Sequence, residues 1–260
     1  MRDSTTQEEQ RAVARVCVKV GQILLQHGAE SALVVDLTRR MGLALGVDSV
    51  EVSLSASSMV LTTLADGHCI TTARRCPDRG INMQMITQVQ RICIMAEHGI
   101  ADRRAVMEKL ERLVPMRYNR WLVLIMIGLS CASFARIAGG DLLIMALTFT
   151  ASSCGMLVRQ TLAHRHFNPL INFGATAFVT TAIAALGVRF QLGNQPFLVM
   201  ASSVLMLVPG VPLINAVSDM VKGFINMGIA RWTMASLLTL STCLGIVLAM
   251  NLLDVWGWLA

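Results

Sequence analysis

Charge almost disappears from this chain of 260 residues after Arg120: residues 1–120 hold 16 Lys/Arg and 13 Asp/Glu, residues 121–260 only 6 and 3. The chain is therefore built for two solvents. The first part reads as water-soluble, and the second carries apolar runs of about 20 residues, the length that crosses a bilayer core. Five spans are expected, over 121–138, 142–158, 170–188, 196–217 and 232–253. Arg159, His164, Arg165 and His166 follow the second and Lys222 and Arg231 the fourth, while the opposite loops hold only Arg136 and Arg189. Positive residues stay cytoplasmic, which places the N-terminus inside and, after an odd number of spans, the C-terminus outside. Trp121, Trp232, Trp256 and Trp258 fall at span ends, where an indole suits the headgroup layer. Small residues crowd the spans ("GLSCASFA", "TASSCG", "GATAFVTTAIAA", "MASS"), giving faces that pack closely within a bundle or against another chain.

The soluble part reads as a small α+β domain over 1–118, ahead of an all-α transmembrane domain over 119–260. Helical spacing of Val13, Val16, Cys17, Val20, Ile23 and Leu24 predicts a helix over 8–26, and Leu33, Val34, Leu37 and Met41 a second over 29–45, stopped by Gly46. In "VEVSLSAS" apolar and polar residues alternate, the period of a half-buried strand. Asp66-Gly67 then joins two β-branched runs as a hairpin. Helices follow over 83–98 and 102–113.

Several function classes are disfavoured. The net charge of +6 divides evenly between the halves with no basic tract, against nucleic-acid binding. The seven cysteines form no C-x-x-C pair, and His164 and His166 lack a nearby carboxylate, so reduced thiols and no metal are expected. No nucleophile elbow, phosphate loop or H-E-x-x-H occurs, so neither an enzyme nor a cofactor is expected. The polar start of the chain is not a cleavable signal, leaving the first span to target it to the membrane.

The fourth span is interrupted. "LMLVPGVPLINAVSDMVKG" (205–223) places Pro209, Gly210 and Pro212 where a helix needs backbone donors, so the helix must break and leave carbonyls free. Free carbonyls at membrane depth are tolerated only against protein or a water-filled cavity, and broken helices mark substrate sites in secondary transporters. Beyond the break, Asn215, Asp219 and Lys222 share one helix face. They are either a transport face, with Asp219 as proton carrier and Lys222 as carboxylate holder, or a solvated pair at the interface. Arg159 is either a positive-inside anchor or an anion attractor. Asn172 is either a helix–helix hydrogen bond or a ligand group. Glu30 favours the start of the second helix.

Three segments, "LLQHGAESALV" (24–34), "RGINM" (79–83) and "LVPGVPLINAVSDM" (207–220), resemble the threonine/serine exporter family, and nearly the whole chain is similar to the larger subunit of its split, two-component form associated with succinate. The resemblance implies a bacterial inner-membrane transporter subunit for succinate-like dicarboxylates, completed by a smaller multispan membrane subunit, with a homo-oligomer left open. It points to Pro209, Gly210, Pro212, Asn215 and Asp219 as the transport segment, and to His27, Gly28 and Glu30 as a motif of unexplained role. Export of threonine or serine, and a regulatory or scaffold role, are the alternatives.

Overall fold

The computed structural model describes residues 2–255; Trp256 and Trp258 lie outside the described residues. The chain forms two compact units. The first runs through Met116 and also takes in Val211–Trp232; the second holds Arg117–Gly210 and the chain from Thr233 on.

The first unit opens with α1 (Arg2–Gln26) and α2 (Ser31–Ala44), followed by β1 (Ser49–Ser55), β2 (Ser58–Ala65) and β3 (His68–Arg75), then α3 (Met83–Glu97) and α4 (Arg103–Glu111). The strands form an antiparallel meander, as the alternation and the Asp66-Gly67 signal predict. Asp66 and Gly67 both take positive φ, the geometry that matches the strand twist across a two-residue turn. Ala56, expected to alternate inward, falls instead in the β1–β2 turn and is exposed. Gly46 ends α2 at φ +93°, where the amides of Gly46 and Val47 return to the carbonyls of Leu43 and Gly42. The core gathers Val16, Val20, Leu24, Val34, Leu37 and Met41, which helical period points inward, together with Met59, Leu61 and Val89. Cys17 and Cys93 lie in it as free thiols, and burial pushes their pKa up to about 12 and about 11, which keeps them unreactive.

Two more pieces complete this unit: α9 (Gly210–Val221) and the first two turns of α10 (Ile225–Leu253). Gly223 turns the chain between them at φ +87°. A side chain at Gly228 would strike Met220 and the Ala216 carbonyl, so the two helices pass as closely as backbones can. Phe224 and Met227 pack against the core. Because the turn at Gly223 starts α10 early, Trp232 lies inside the helix and not at its end.

The second unit consists of α5 (Arg120–Ile137), α6 (Leu142–His164), α7 (Pro169–Arg189), α8 (Pro196–Val204) continued by a 3-10 turn (Leu205–Leu207), and the rest of α10. Asn119, Asp141 and Asn168 cap α5, α6 and α7, each accepting an orphan amide of the first turn. His164 closes α6 rather than standing in a loop. Four helices are long and apolar enough to cross a bilayer, and the bent pair that ends in α9 makes a fifth if taken as one span. Small residues set the spacing: a Cβ on Gly155 would overlap Thr180, and one on Gly245 would meet the backbone of Gly174.

Candidate functional site

The turn between α1 and α2 exposes backbone groups that no helix bond can use, and α9 and α10 supply their partners. Asn215 Nδ2 donates to the Gly28 carbonyl at 2.9 Å. Arg231 Nη2 donates to the Ala29 carbonyl at 2.7 Å. Asp219 Oδ1 accepts the Ser31 amide at 2.9 Å, and its Oδ2 accepts the Ser31 hydroxyl at 2.8 Å. Ser31 opens α2, whose N-cap residue Glu30 makes no capping bond of its own. Asp219 therefore caps α2 from another part of the chain, its negative charge set against the positive end of the helix dipole. The carboxylate is fully buried, and Arg231 Nη1 balances it at 2.9 Å, in an ion-pair contact that is off the line of a hydrogen bond. Glu30 in turn accepts from Ser218 and pairs with Lys222.

This helix is amphipathic with its polar side inward. Ala216 and Asp219 are buried, while Val211, Ile214, Val217 and Val221 are exposed at helical spacing. That inversion answers how a polar face fits into an apolar region: its donors and acceptors are spent on the turn at residues 28–31. The segment "RGINM" (79–83) closes the cluster, since the Arg79 amide donates to the Gln26 carbonyl (3.0 Å) and the Asn82 amide to the His27 carbonyl (3.1 Å). His27 is buried, and its Nδ1 has no partner among the described residues. Three stretches remote in sequence thus form one structure.

Two consequences can be measured. Gly28 sits at φ +80°, and a Cβ there would lie 3.1 Å from Ile81 Cγ1. Gly28→Ala is expected to cost about 1–2 kcal/mol in chemical denaturation, from the left-handed backbone alone. Glu30 carries a carboxyl held below its usual 4.5 by the hydrogen bond from Lys222, then that from Ser218. A depressed folded pKa contributes stability that is complete above 4.5 and lost as pH falls through the folded value. The stability difference between the wild type and Glu30→Gln is therefore expected to be constant above pH 5 and to close below 4.5. A difference that does not shrink as the pH is lowered below 4.5 would show that the pair is not its source.

The proline break lies ahead of this cluster. Helical bonding stops at Leu207, Val208 is extended (φ −67°, ψ 120°), and helix resumes at Gly210. The Gly210 amide donates to Val208, so the Met206 carbonyl loses its regular partner. Arg159 of α6 replaces it, with Nη1 donating to that carbonyl at 3.2 Å. The guanidinium lies over the Phe173 ring, 4.6 Å from its centroid, and the Arg159 carbonyl accepts from Asn172 Nδ2 at 3.2 Å. Asn172 Oδ1 accepts from Thr176, on the same face of α7 as Thr180, whose buried hydroxyl has no partner among the described residues. In the second unit the described carboxylates are Asp141, which caps the far end of α6, and Asp254, just beyond α10. Arg159 makes no ion pair among the described residues. Its remaining guanidinium donors are therefore met by no acidic side chain among the described residues.

Beside the break a cavity of about 500 Å³ is lined by Leu205, Val208, Pro209, Thr181, Thr242 and Cys243. Among the described residues, no group of three or more His, Cys, Asp or Glu side chains gathers at metal-binding distance. Arg159, Asn172 and the break are each expected from the sequence; Ser31, Ser218, Met206 and Phe173 are not, and Arg231 is expected there only as a cytoplasmic positive charge. Of these only Arg231 carried a signal, as an added charge near Asp219.

Comparison with known proteins gives a consistent result. Residues 15–253 match the model of a family described as "Putative threonine/serine exporter". The chain is 52% identical over 252 residues to the Escherichia coli protein named "Probable succinate transporter subunit YjjP", covering 96% of this chain and 98% of that one. The Klebsiella aerogenes protein of the same name is also 52% identical, over 96% and 97% of the two chains. A Mycobacterium tuberculosis protein named "Probable threonine/serine exporter" is 23% identical over 93% of this chain but only 46% of its own length. No solved structure matches.

Proposed function

This chain belongs to the threonine/serine exporter family, and from that premise we propose that it is one subunit of a two-component secondary transporter exporting succinate-like dicarboxylates across the bacterial inner membrane. The observation that carries the reading is 52% identity, along nearly the full length of both chains, with relatives named succinate transporter subunits. Arg159 at the proline break, which makes no ion pair among the described residues, supports it from within the molecule, because a dicarboxylate would bring a counter-charge to that guanidinium. The partner in this reading is a smaller multispan membrane subunit, in keeping with a relative of which this chain matches 46%.

Pro209, Gly210 and Pro212 act as the hinge, and Arg159, oriented by Asn172, receives a substrate carboxylate. Asn215, Asp219 and Lys222 hold the segment after the hinge to the turn at His27, Gly28 and Glu30, so that the N-terminal domain and α9 move together. With the N-terminus cytoplasmic, export of a dianion from a negative interior gains about 2.3 kcal/mol per charge per 100 mV. The process is transport without chemistry, and no cofactor is assigned to it.

Co-reconstitution with the small subunit in proteoliposomes tests the reading. Voltage-dependent succinate flux is expected from the complex and from neither subunit alone. Flux of threonine or serine in place of succinate would favour the second reading, hydroxy amino acid export, which rests on the family description and the Mycobacterium tuberculosis relative. Succinate flux from the small subunit alone would reduce this chain to a scaffold.

A further inference from the structure

We infer that the first unit carries a second binding site, a cleft between α1 and β3 that takes a small soluble organic anion. Arg11, Arg15 and Lys19 recur every four residues along one face of α1, and Arg74 stands on β3; all four line a cleft of about 370 Å³. Ile70 and Thr72 turn to the same side of β3 as Arg74, and Val18, only 6% exposed, gives the cleft an apolar floor. No carboxylate among the described residues lines it, and none of its four cations enters an ion pair there.

Like charges spaced by four on a helix repel, and a concave setting concentrates their field, so an anion in the cleft lowers an existing cost. The apolar floor sets the ligand class: an acid group on a short hydrocarbon or ring body covers Val18 and Ile70, which inorganic phosphate leaves bare. The cleft walls also lead to the α9 contacts. Gln22 Nε2 donates to the Arg75 carbonyl at 3.1 Å, and one turn later Gln26 accepts from Arg79. An anion drawing α1 and β3 together therefore acts on both segments that frame residues 27–31. Control of export by the anion rests on the proposed transport function; occupancy of the cleft does not.

The test is calorimetric titration of the full-length protein in detergent with succinate, citrate, ATP and inorganic phosphate, with hydrogen exchange on the same samples. Saturable binding of at least one organic anion is expected, with slowed exchange in residues 11–22 and 68–75. The affinity should fall about tenfold in Arg15→Gln/Arg74→Gln, as expected for a lost charge-assisted contact, and fall further with added salt. Both side chains are exposed and make no ion pair among the described residues, so the unfolding midpoint of the variant should not fall. Binding that survives in the double variant but is lost in Arg159→Gln would belong to the membrane unit and overturn the proposal. Absence of small-anion binding would overturn it as well. So would protection of 11–22 and 68–75 by phosphatidylglycerol nanodiscs but not by soluble anions, which would make the cleft a lipid-headgroup site.

Discussion

Arg231→Met is expected to destabilise the first unit by about 3–5 kcal/mol, the range for removing one partner of a buried ion pair and leaving the other charge stranded. Asp219 is fully buried, so it cannot turn to water when Arg231 is gone. The same substitution removes the donor to the Ala29 carbonyl, leaving a second polar group unsatisfied. Chemical denaturation of full-length protein, with amide exchange across residues 26–34 as a local reporter, measures both. Removing both charges in Asp219→Leu/Arg231→Met should recover part of the loss but not all, because the Ser31 amide at the start of α2 still loses its acceptor. A loss below about 1 kcal/mol for the single substitution would put the pair in the class of solvated surface bridges and refute its structural role.

Arg159→Gln is expected to lower succinate flux by about a hundredfold in the reconstituted complex, the scale of a charge contact removed from a desolvated site. Arg159→Lys keeps the charge but not the planar fork that serves both Met206 and an incoming carboxylate, so it should recover only part of the flux. Flux alone does not separate substrate binding from support of the broken helix. The two differ in substrate dependence: a binding role raises the half-saturating succinate concentration in Arg159→Lys, whereas a structural role lowers the maximum flux at unchanged half-saturation. Unaltered flux in Arg159→Gln would remove this residue from the pathway.

Much of the fold was legible because its causes are local. The strand alternation, the Asp66-Gly67 turn and the Gly46 stop each depend on neighbours within a few residues, and all appear in the structure; the apolar helices appear too, but α6 runs on to His164 and α10 begins at Ile225, past the expected 142–158 and 232–253. The break at Pro209 was legible for the same reason: a missing amide is a property of the residue itself. The site was only half legible. The spacing of Asn215, Asp219 and Lys222 shows that they share a face, but not what the face meets. Ser31 and Ser218 were invisible, since a serine in a polar stretch carries no sign of a partner 188 residues away.

Composition and periodicity were enough, without coordinates, to divide the chain between water and lipid, to set the antiparallel meander and to require a discontinuity in the fourth apolar run. Those are consequences of solvation and backbone chemistry along a single segment. Only the tertiary structure decided that Asp219 caps α2, that Arg159 takes the carbonyl released at Met206, and that the segment after the prolines belongs to the same unit as the N-terminal helices. A hydrogen bond is directional and short, so its partner is chosen by where the folded backbone brings two groups within 3 Å or so, and no pattern in one stretch of sequence holds that distance.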